Sequence, residues 1–466
     1  MAAEHTARGW WLQEAEAAPA LPPLEEELTA DLVVVGGGYT GMWTAWFVSE
    51  LEPEARVVLL EAERCGAGPS GRNGGFVNAM WFSLPALRQR FGDAAALRLT
   101  RTAEDAVRDI GRWCEEQGVD AWYQAGGYVQ VSTAPAHDGS WQAVADACAE
   151  LGVAGVCRPL SEAEVRGRCG SPIFRAGVIY PVAATVQPAR LALGLRARLE
   201  QRGVTIFEGS RVRRLAASGQ GVEARTDRGS VRAPRGVLAT GPAIAGHRPL
   251  RQRLTITSSH LVITEPVPEV LAELGWTGGE CITDSRALIH YFRTTPDGRI
   301  VFGWGGGRLA PGARLNGRAE LDRGVVSEVE RQLVRFFPAL RGRRIEHAWG
   351  GPIDVSPTHL PVVGSVEGDR VHYAFGYTGN GVAPSRIAGR ILASLSLDRR
   401  DEVTRLPIVE PPRVRVPPEP IRYAGGMIIR AAVLRRERFE EEGRRPGRLT
   451  RAIAGLPERI GIHLGR

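Results

Sequence analysis

Asp31-Leu-Val-Val-Val-Gly-Gly-Gly-Tyr-Thr-Gly41 is the stretch of sequence that decides the fold. It begins with a continuous apolar run, which is typical of a strand buried on both faces of a parallel sheet. The run leads directly into Gly36, Gly38 and Gly41, which form a G-x-G-x-x-G pattern. In a dinucleotide site the first glycine makes a tight turn, the second admits the pyrophosphate, and the third lets helix and strand pack closely.

The residues after this loop complete a strand–helix–strand unit. Residues 42–51 continue as a helix, and the apolar run Val57-Val-Leu-Leu60 ends at Glu61. A carboxylate at the end of the second strand is placed to accept hydrogen bonds from ribose hydroxyls. A glycine turn with a solvated carboxylate would match the same letters, but the strand and helix around them favour a dinucleotide site.

Two further glycine-rich segments favour FAD over NAD as the dinucleotide. Cys65-Gly-Ala-Gly-Pro-Ser-Gly-Arg-Asn-Gly-Gly75 follows the second strand, and Gly376-Tyr-Thr-Gly-Asn-Gly381 opens a helix late in the chain. Small residues let the backbone approach a ligand. A second helix N-terminus suits the negative charge of a reduced flavin ring. An enzyme that used NAD alone would leave the last motif without a role.

These motifs, together with Leu238-Ala-Thr-Gly241, resemble the D-amino-acid oxidase-like (DAO) superfamily of FAD enzymes over about residues 30 to 397. Within it, the GRNGG run, Tyr291-Phe-Arg293 and Trp349-Gly-Gly-Pro-Ile-Asp354 are most similar to the gamma-glutamylputrescine oxidoreductase group. The resemblance implies hydride transfer from the amine α-carbon to flavin N5, giving an imine that hydrolyses to a carbonyl compound. Dioxygen, giving hydrogen peroxide, or another compound is the expected electron acceptor.

The resemblance also implies an α/β fold with an α+β substrate part. A Rossmann-like FAD-binding domain from discontinuous segments is expected beside a substrate domain built on a mixed β-sheet, followed by an extended arm and a helical C-terminal tail. The expected boundaries are 30–90, 180–248 and 345–400 for the FAD-binding domain, 91–179 and 249–344 for the substrate domain, and 401–466 for the arm and tail.

The residues expected to hold FAD lie in the motifs that carry the resemblance. They are Gly36, Gly38, Tyr39, Thr40, Gly41, Glu61, Ala62, Gly68, Ser70, Gly71, Arg72, Asn73, Gly74, Gly75, Val212, Thr240, Gly241, Gly376, Gly379, Asn380 and Gly381. Arg72 and Asn73 are expected to hydrogen-bond the flavin ring, although the same side chains would also suit a turn cap. Because no cysteine lies between Trp349 and Gly364, non-covalent FAD is expected. No metal site is expected.

Two departures from the superfamily bear on the substrate and the acceptor. Amino-acid oxidases of the superfamily place an arginine, which grips the substrate carboxylate, at the position of Ile353. An amine without that carboxylate is therefore favoured, unless Arg293 or Arg72 substitutes. Sarcosine-oxidase relatives use a lysine at about Val301 to help dioxygen accept electrons, whereas this chain contains no lysine. Slow reaction with dioxygen, another activating group or another acceptor is expected.

Four side chains are candidates for the substrate pocket: Tyr291, Arg293, Trp349 and His260. Tyr291 and Arg293 alternate on a strand and share a face, although a cross-strand pair or a solvated arginine would show the same spacing. Trp349 is a pocket wall or plain core. His260 and His290 are candidate bases, but a histidine on a strand is more often packed and satisfied. No strong acid–base residue is required if the pocket desolvates the amine.

Composition excludes other classes of protein. A content of 43% hydrophobic and 24% charged residues is that of a globular protein, and neither a membrane span nor a signal pattern is present, so a cytoplasmic location is expected. The six cysteines lack C-x-x-C spacing and are expected to be free thiols. The first 30 residues, rich in Pro, Glu and Ala, are expected on the surface.

Most of the positive charge is concentrated in the tail. Of the net charge of +7, residues 421–466 contribute eleven Arg against five Glu, so the rest of the chain is nearly neutral and no nucleic-acid binding is expected. The tail is expected to pack its apolar side on the protein rather than to contact a membrane.

Other functions remain as alternatives. An N-methyl amino-acid (sarcosine-like) or D-amino-acid oxidase or dehydrogenase is the main one, and it would need the carboxylate clamp. A flavin monooxygenase would carry a GADG-like motif, which the sequence lacks. A non-catalytic protein would hold a flavin that no substrate reduces.

Overall fold

The computed structural model describes residues 4–5, 9–15, 19–315, 317–412 and 414–459. In these residues the strands are β1 (Glu4–His5), β2 (Glu27–Thr29), β3 (Leu32–Val35), β4 (Val57–Leu60), β5 (Phe76–Asn78), β6 (Tyr128–Val131), β7 (Arg158–Leu160), β8 (Gly177–Tyr180), β9 (Ala183–Thr185), β10 (Thr205–Phe207), β11 (Arg214–Ser218), β12 (Gly221–Arg225), β13 (Ser230–Ala233), β14 (Arg235–Leu238), β15 (Thr255–Thr264), β16 (Cys281–Asp284), β17 (His290–Thr294), β18 (Ile300–Trp304), β19 (Ile345–Val355), β20 (Val362–Val366) and β21 (Val371–Phe375).

Short 3-10 turns and α-helices connect these strands. The α-helices are α1 (Trp10–Glu14), α2 (Tyr39–Leu51), α3 (Leu84–Phe91), α4 (Asp93–Glu116), α5 (Gln142–Glu150), α6 (Glu162–Arg166), α7 (Pro188–Gln201), α8 (Pro268–Glu273), α9 (Gly317–Glu320), α10 (Arg323–Phe336), α11 (Val382–Ser396), α12 (Ile421–Glu441), α13 (Arg448–Ala454) and α14 (Leu456–Arg459). None of the helices in these ranges is long and apolar enough to cross a bilayer.

A six-stranded sheet in the order β10-β4-β3-β14-β21-β20 forms the dinucleotide-binding half. Its first five strands run parallel, and β20 is antiparallel to β21. Because side chains alternate along a strand, each buried strand serves two cores. Leu32 and Val34 of β3 pack in the cluster that includes α2 and α11, whereas Val33 and Val35 pack in the cluster that includes β12 and β13. The sheet is thereby covered on both sides, as the apolar run predicted.

A nine-stranded mixed sheet in the order β1-β19-β15-β18-β17-β16-β6-β8-β7 forms the other half. Its centre is antiparallel, and β15 pairs with β19 over almost its whole length. Helix α10 packs against β15 and β18 on one face of this sheet. The opposite face is turned toward the glycine loops of the first half, because Tyr291 of β17 lies against Gly74.

Two segments have pairing or packing partners in the half of the molecule to which the expected boundaries do not assign them. The strand β19 opens residues 345–400, which were assigned to the FAD-binding domain, but its backbone pairs with β15 in the nine-stranded sheet. The helix α4 was assigned to the substrate domain. Its Trp113 instead packs edge-on against Trp43 of α2, with ring centroids 5.1 Å apart. Both placements are decided by pairing and packing partners that are distant in sequence, so local sequence patterns do not predict them.

The start of helix α1 in the N-terminal segment is buried, whereas most of residues 19–29 are exposed, as the sequence predicted. Trp10 and Trp11 of α1 are buried, and Trp11 packs edge-on against Trp349 of β19 at 6.1 Å between ring centroids. Burial of large aromatic area outweighs the polar composition of the neighbouring residues.

Candidate active site

The loop between β3 and α2 holds its glycines in the shape that a dinucleotide site requires. Gly36 has a φ of 112°, and a Cβ atom there would overlap the carbonyl oxygen of Ala239. A Cβ atom at Gly41 would overlap the carbonyl oxygen of Gly36. These two positions need glycine for the packing of the protein itself. Gly38 is the N-cap of α2, so N–H groups of the first helical turn lack intrahelical acceptors at this loop.

Glu61 and Ser70 border this loop. The Glu61 carboxylate accepts hydrogen bonds from the N–H groups of Gly37 at 2.7 Å and Glu63 at 2.9 Å. The Ser70 hydroxyl accepts one from the N–H of Tyr39, at the first position of α2, at 2.9 Å. Burial raises the pKa of Glu61, against the effect of its hydrogen bonds. A carboxylate has about four lone-pair sites, so Glu61 retains capacity to accept ribose hydroxyls.

The C-terminal glycine motif reaches the same loop from β21. The hydroxyls of Tyr377 and Thr40 lie 2.7 Å apart, which ties the motif to α2. Asp354 anchors the motif to β19: its carboxylate accepts the N–H of Gly376 at 2.6 Å, and its carbonyl oxygen accepts the N–H of Thr378 at 3.1 Å. Burial raises the pKa of Asp354 to about 6.

Gly68 and Gly351 leave space that the protein itself does not fill, and Gly38 lies close only to the Ser70 hydroxyl. Gly38 and Gly68 have ordinary φ values of −82° and −77°, so neither backbone requires glycine. A Cβ atom would have no neighbour within 4 Å at Gly68, only the Ser70 hydroxyl at 3.1 Å at Gly38, and only Arg72 Cβ at 3.8 Å at Gly351. Open positions beside three separate segments are what a bound ligand requires. The residues present therefore fit a dinucleotide cofactor.

The face of the nine-stranded sheet toward these loops is called the site face. Strand pairing places on it Thr257, Ser259 and Leu261 of β15, Tyr291 and Arg293 of β17, Val301 and Gly303 of β18, and Trp349, Gly351 and Ile353 of β19. The hydroxyls of Tyr291 and Ser259 lie 2.7 Å apart. Burial raises the pKa of Tyr291, so the phenol stays protonated.

One part of the site face is open and the other is closed. Tyr291, Thr257, Gly351 and Ile353 are partly exposed. The remaining part, centred on Leu261, Val301 and Trp349, is fully packed beneath Trp10 and Trp11. The open part adjoins the glycine loops, because Gly351 lies beside Arg72 and Ile353 lies beside Gly379.

Comparison with known proteins identifies the family. The DAO family model, described as FAD dependent oxidoreductase, matches residues 31–395. The chain belongs to the DAO family. Gamma-glutamylputrescine oxidoreductase of Escherichia coli is 28% identical over 417 residues, which cover 87% of this chain and 92% of that protein. Sarcosine oxidase subunit beta of Arthrobacter is 24% identical over 403 residues, which cover 79% and 87% of the two chains.

A solved structure supports the fold. Glycine oxidase of Bacillus cereus superposes with a TM-score of 0.67 at 19% identity, covering 83% of this chain and 99% of that chain. The expected fold class and the expected FAD are thus confirmed for this DAO family member. Its activity is that of an FAD-dependent oxidoreductase whose relatives act on amines and amino acids.

Arg72, Asn73 and Val212, which are predicted to hold FAD, also have contacts within the protein. The Asn73 side chain shapes its own loop, accepting the N–H of Gly75 at 2.7 Å and donating to the carbonyl of Ser70 at 2.8 Å. Arg72 donates through Nε to the carbonyl of Ala67 at 2.7 Å. The structure therefore gives Asn73 the turn-cap arrangement. Val212 packs in the apolar cluster that covers the far side of β3 and β4.

Arg293 and Trp349 lie behind the opening rather than in it. Arg293 is fully buried and donates through Nη1 to the carbonyls of Val186 at 2.5 Å and Gly75 at 3.4 Å. Burial lowers the pKa of its guanidinium to about 10. Trp349 is fully buried and donates through Nε1 to the carbonyl of Arg72 at 2.9 Å. Both side chains therefore bind backbone carbonyls of the glycine-rich loop, Arg293 at Gly75 and Trp349 at Arg72.

His260 is corrected as a catalytic candidate, because it lies on the opposite face, called the far face. It pairs with Gly350 and Trp304, one residue out of step with Tyr291, and its Nε2 accepts the N–H of Asp322, the N-cap of α10, at 2.9 Å. His290 is also on the far face, bonded through Nδ1 to Asp284 at 2.7 Å. Burial lowers the pKa of His290 to about 4, so this ring is neutral.

Sequence reasoning missed three residues that join the loops: Ser259, Asp354 and Tyr377. Asp354 and Tyr377 stand inside quoted motifs, and an acidic residue next to an apolar one in a strand is a signal that could have been read. Ser259 gave no signal, because only the pairing of β15 with the strands around it brings its hydroxyl to Tyr291.

Proposed function

We propose that this protein oxidises amines that lack an α-carboxylate. The amine loses a hydride from its α-carbon and a proton from its nitrogen, giving an imine, and water converts the imine to a carbonyl compound and the released amine or ammonia. When bound, FAD supplies the acceptor for the two electrons. Its pyrophosphate would be held at the first turn of α2 with Glu61 at the ribose, and its ring beside the open part of the site face.

The neutral lining of the open part of the site face is the observation that carries this proposal. Thr257, Tyr291, Gly351 and Ile353 bear no charge, and neither does the buried Ser259 that is bonded to Tyr291. A carboxylate brought into such a lining without a partner would lose its hydration. An amine is instead favoured in this lining, because desolvation lowers the pKa of the amine and favours the neutral form that can be oxidised.

Arg72 borders the opening but is not placed as a carboxylate clamp. Its Nη1 lies 3.8 Å from Oε1 of Glu320, and its Nε is already bonded to a carbonyl. The positive charge therefore faces a negative charge of the protein. A substrate carboxylate would have to compete with Glu320, which is itself half exposed.

The chain's own residues orient the amine rather than take its proton. Tyr291 remains protonated and offers an aromatic wall and a hydroxyl bonded to Ser259. Ile353 and Gly351 shape the opposite side of the opening. Proximity and desolvation are the contributions expected of such a site.

The electron acceptor is proposed to be dioxygen, which takes two electrons and two protons to give hydrogen peroxide. Val301, at the position where relatives carry a lysine, is buried on the closed part of the site face. The reaction with dioxygen is therefore expected to lack the help of that cation.

The test is anaerobic reduction of the purified flavoprotein by a panel of diamines, monoamines, N-methylglycine and D-alanine. Bleaching of the band near about 450 nm by amines without a carboxylate supports the proposal. Peroxide formed on readmission of air identifies dioxygen as the acceptor. Bleaching by N-methylglycine or D-alanine alone overturns the proposal and favours the amino-acid alternative.

The variant Ile353→Arg sharpens this test. It restores a guanidinium at the clamp position, so the ratio of kcat/KM for an amino acid to that for an amine is expected to rise by roughly 100-fold. Ile353→Met is the matched control, since it keeps a long side chain without charge. An unchanged ratio in Ile353→Arg would show that this position does not decide substrate class.

A further inference from the structure

Helix α12 of the tail is attached to the protein through polar contacts. Arg422 donates to the carbonyl of Leu254 at 3.2 Å, and Arg430 donates to the carbonyl of Gly307 at 2.9 Å. The buried Glu437 accepts the N–H of Leu288 at 3.0 Å. Side chains along one side of α12 are thus bonded to several loops of the substrate half, so the helix is held in one orientation.

The other side of α12 presents apolar side chains to solvent. Its exposed positions recur every three or four residues and therefore form one helix face. These positions are Ile421, Ala424, Ile428, Ala431, Arg435 and Arg438. Ile421 is 63% exposed and Ile428 is 59% exposed. The outward face of its first three turns is therefore apolar, which departs from the usual amphipathic surface helix.

Exposed apolar side chains are concentrated in this tail. Of the five large hydrophobic side chains that are exposed in the described residues, four belong to it: Ile421, Ile428, Leu449 and Leu456. The expectation that the tail packs its apolar side on the protein therefore holds only for the side of α12 that includes Ala432 and Val433.

Exposed positive charge is concentrated in the second half of the tail. Between Arg435 and Arg459, seven arginines are exposed against two glutamates. The exposed arginines are Arg435, Arg438, Arg444, Arg445, Arg448, Arg451 and Arg459. Only Arg444 among them has an ion pair in the described structure, with Glu442 at 2.9 Å.

We propose that the outward face of α12, with α13 and α14, docks on an anionic lipid surface. Aliphatic side chains would enter the boundary between headgroups and acyl chains, and the arginines would bind lipid phosphates and carboxylates. The contact is peripheral, because none of the described helices can span a bilayer.

The composition of the face favours lipid over other partners. A second copy of the chain would bring two arginine-rich surfaces together, and like charges oppose such a contact. Protein interfaces concentrate binding energy in buried aromatic and arginine anchors, whereas the outward apolar positions here are aliphatic. Aliphatic residues beside arginines on a helix that lies flat are typical of interfacial membrane binding.

Vesicle flotation of the full-length flavoprotein tests the proposal. Binding to phosphatidylcholine vesicles with about 30% phosphatidylserine is expected to exceed binding to pure phosphatidylcholine by roughly tenfold at low salt, and to weaken in about 0.5 M salt. Equal binding to both vesicles, or to neither, overturns the proposal and leaves an acidic protein as the partner to seek.

Two pairs of variants separate the apolar from the charged contribution. Ile421→Gln/Ile428→Gln is expected to weaken binding about tenfold, with Leu315→Gln, an exposed leucine outside the tail, as its control. Arg435→Gln/Arg438→Gln is expected to weaken it by a similar factor and to reduce its salt dependence, with the exposed Arg98→Gln/Arg101→Gln of α4 as control.

Activity toward a soluble substrate reports that each variant is folded, because neither pair touches the site face. Tail variants that bind vesicles as tightly as their controls would overturn the proposal even if the wild-type protein binds.

Discussion

The two faces of the nine-stranded sheet are built from alternate residues of the same strands, yet they differ in how completely they are packed. The far face is filled: Phe292 lies 5.3 Å from Phe302 and 5.9 Å from Trp276 between ring centroids. The site face carries glycine at 303 and 351 and a serine at 259, and part of it stays open. The far face therefore carries bulky aromatic side chains where the site face carries glycine and serine.

This difference shows where function and where stability reside. A packed aromatic face contributes free energy of folding through burial and contact. The open part of the site face, around Gly351, contributes less of that than the closed part around Trp349, but it leaves room for a ligand next to the glycine loops. The two histidines fit this difference between the faces, because both His260 and His290 lie on the filled far face and are bonded to protein groups.

Removing the aromatic ring of Phe292 is expected to have the largest effect on stability. Phe292→Ala should lower the free energy of unfolding by about 3–5 kcal/mol, because it leaves a cavity in a fully packed cluster. Urea unfolding measures this loss. Tyr291→Ala, one residue away on the site face, should cost less stability but more kcat/KM. The reverse ranking of the two variants would contradict the division between the faces.

The carboxylate of Asp354 lies on the far face and supports the site through its hydrogen bond to the backbone N–H of Gly376. Burial raises its pKa to about 6, so the folded protein holds a proton between about pH 4 and 6 that the unfolded chain releases. Stability from this group is present at low pH and is lost as pH rises through 6. Relative to wild type, Asp354→Asn should gain up to about 3 kcal/mol of unfolding free energy across that range.

The control for this prediction is Asp354→Ala, which removes the acceptor for the N–H of Gly376. It should weaken FAD binding at all pH values, as followed by flavin fluorescence on release. A stability difference between wild type and Asp354→Asn that does not change with pH would show that the carboxylate stays ionised in the fold.

A larger side chain in the open part of the site face is expected to weaken substrate binding without destabilising the fold. A Cβ atom at Gly351 meets only Arg72 Cβ at 3.8 Å, so Gly351→Ala should change stability by less than about 0.5 kcal/mol while raising the amine KM about tenfold. Gly303→Ala is the matched control, because its Cβ atom would overlap the Tyr291 ring. Equal destabilisation by the two variants would show that the opening at Gly351 is packed.

His260 should have the smallest effect on catalysis. His260→Gln keeps an acceptor for the N–H of Asp322, so kcat/KM is expected to stay within about threefold of wild type. His260→Ala should lower the unfolding free energy by about 1–3 kcal/mol, because it leaves that N–H without its acceptor. A large, pH-dependent loss of kcat in His260→Gln would restore this residue as a catalytic candidate.

Local patterns were sufficient for the dinucleotide-binding half. The continuous apolar run from Leu32 to Val35, the glycines from Gly36 to Gly41 and the position of Glu61 all depend on neighbours within one strand–helix–strand unit. The role of these residues as FAD ligands, and the domain boundaries, stay predictions. The mixed sheet of the other half was predicted, but the pairing of β19 with β15 and the packing of α4 against α2 were not.

The sequence by itself determined the family, the cofactor and the absence of an arginine at Ile353, because each rests on residue identity within a short motif. Only the tertiary structure decided that His260 faces away from Tyr291, that Arg293 binds carbonyls of the protein, and that Ile421 and Ile428 face outward. Strand register and helix orientation set these directions. Both depend on contacts between residues far apart in the chain, so no local pattern encodes them.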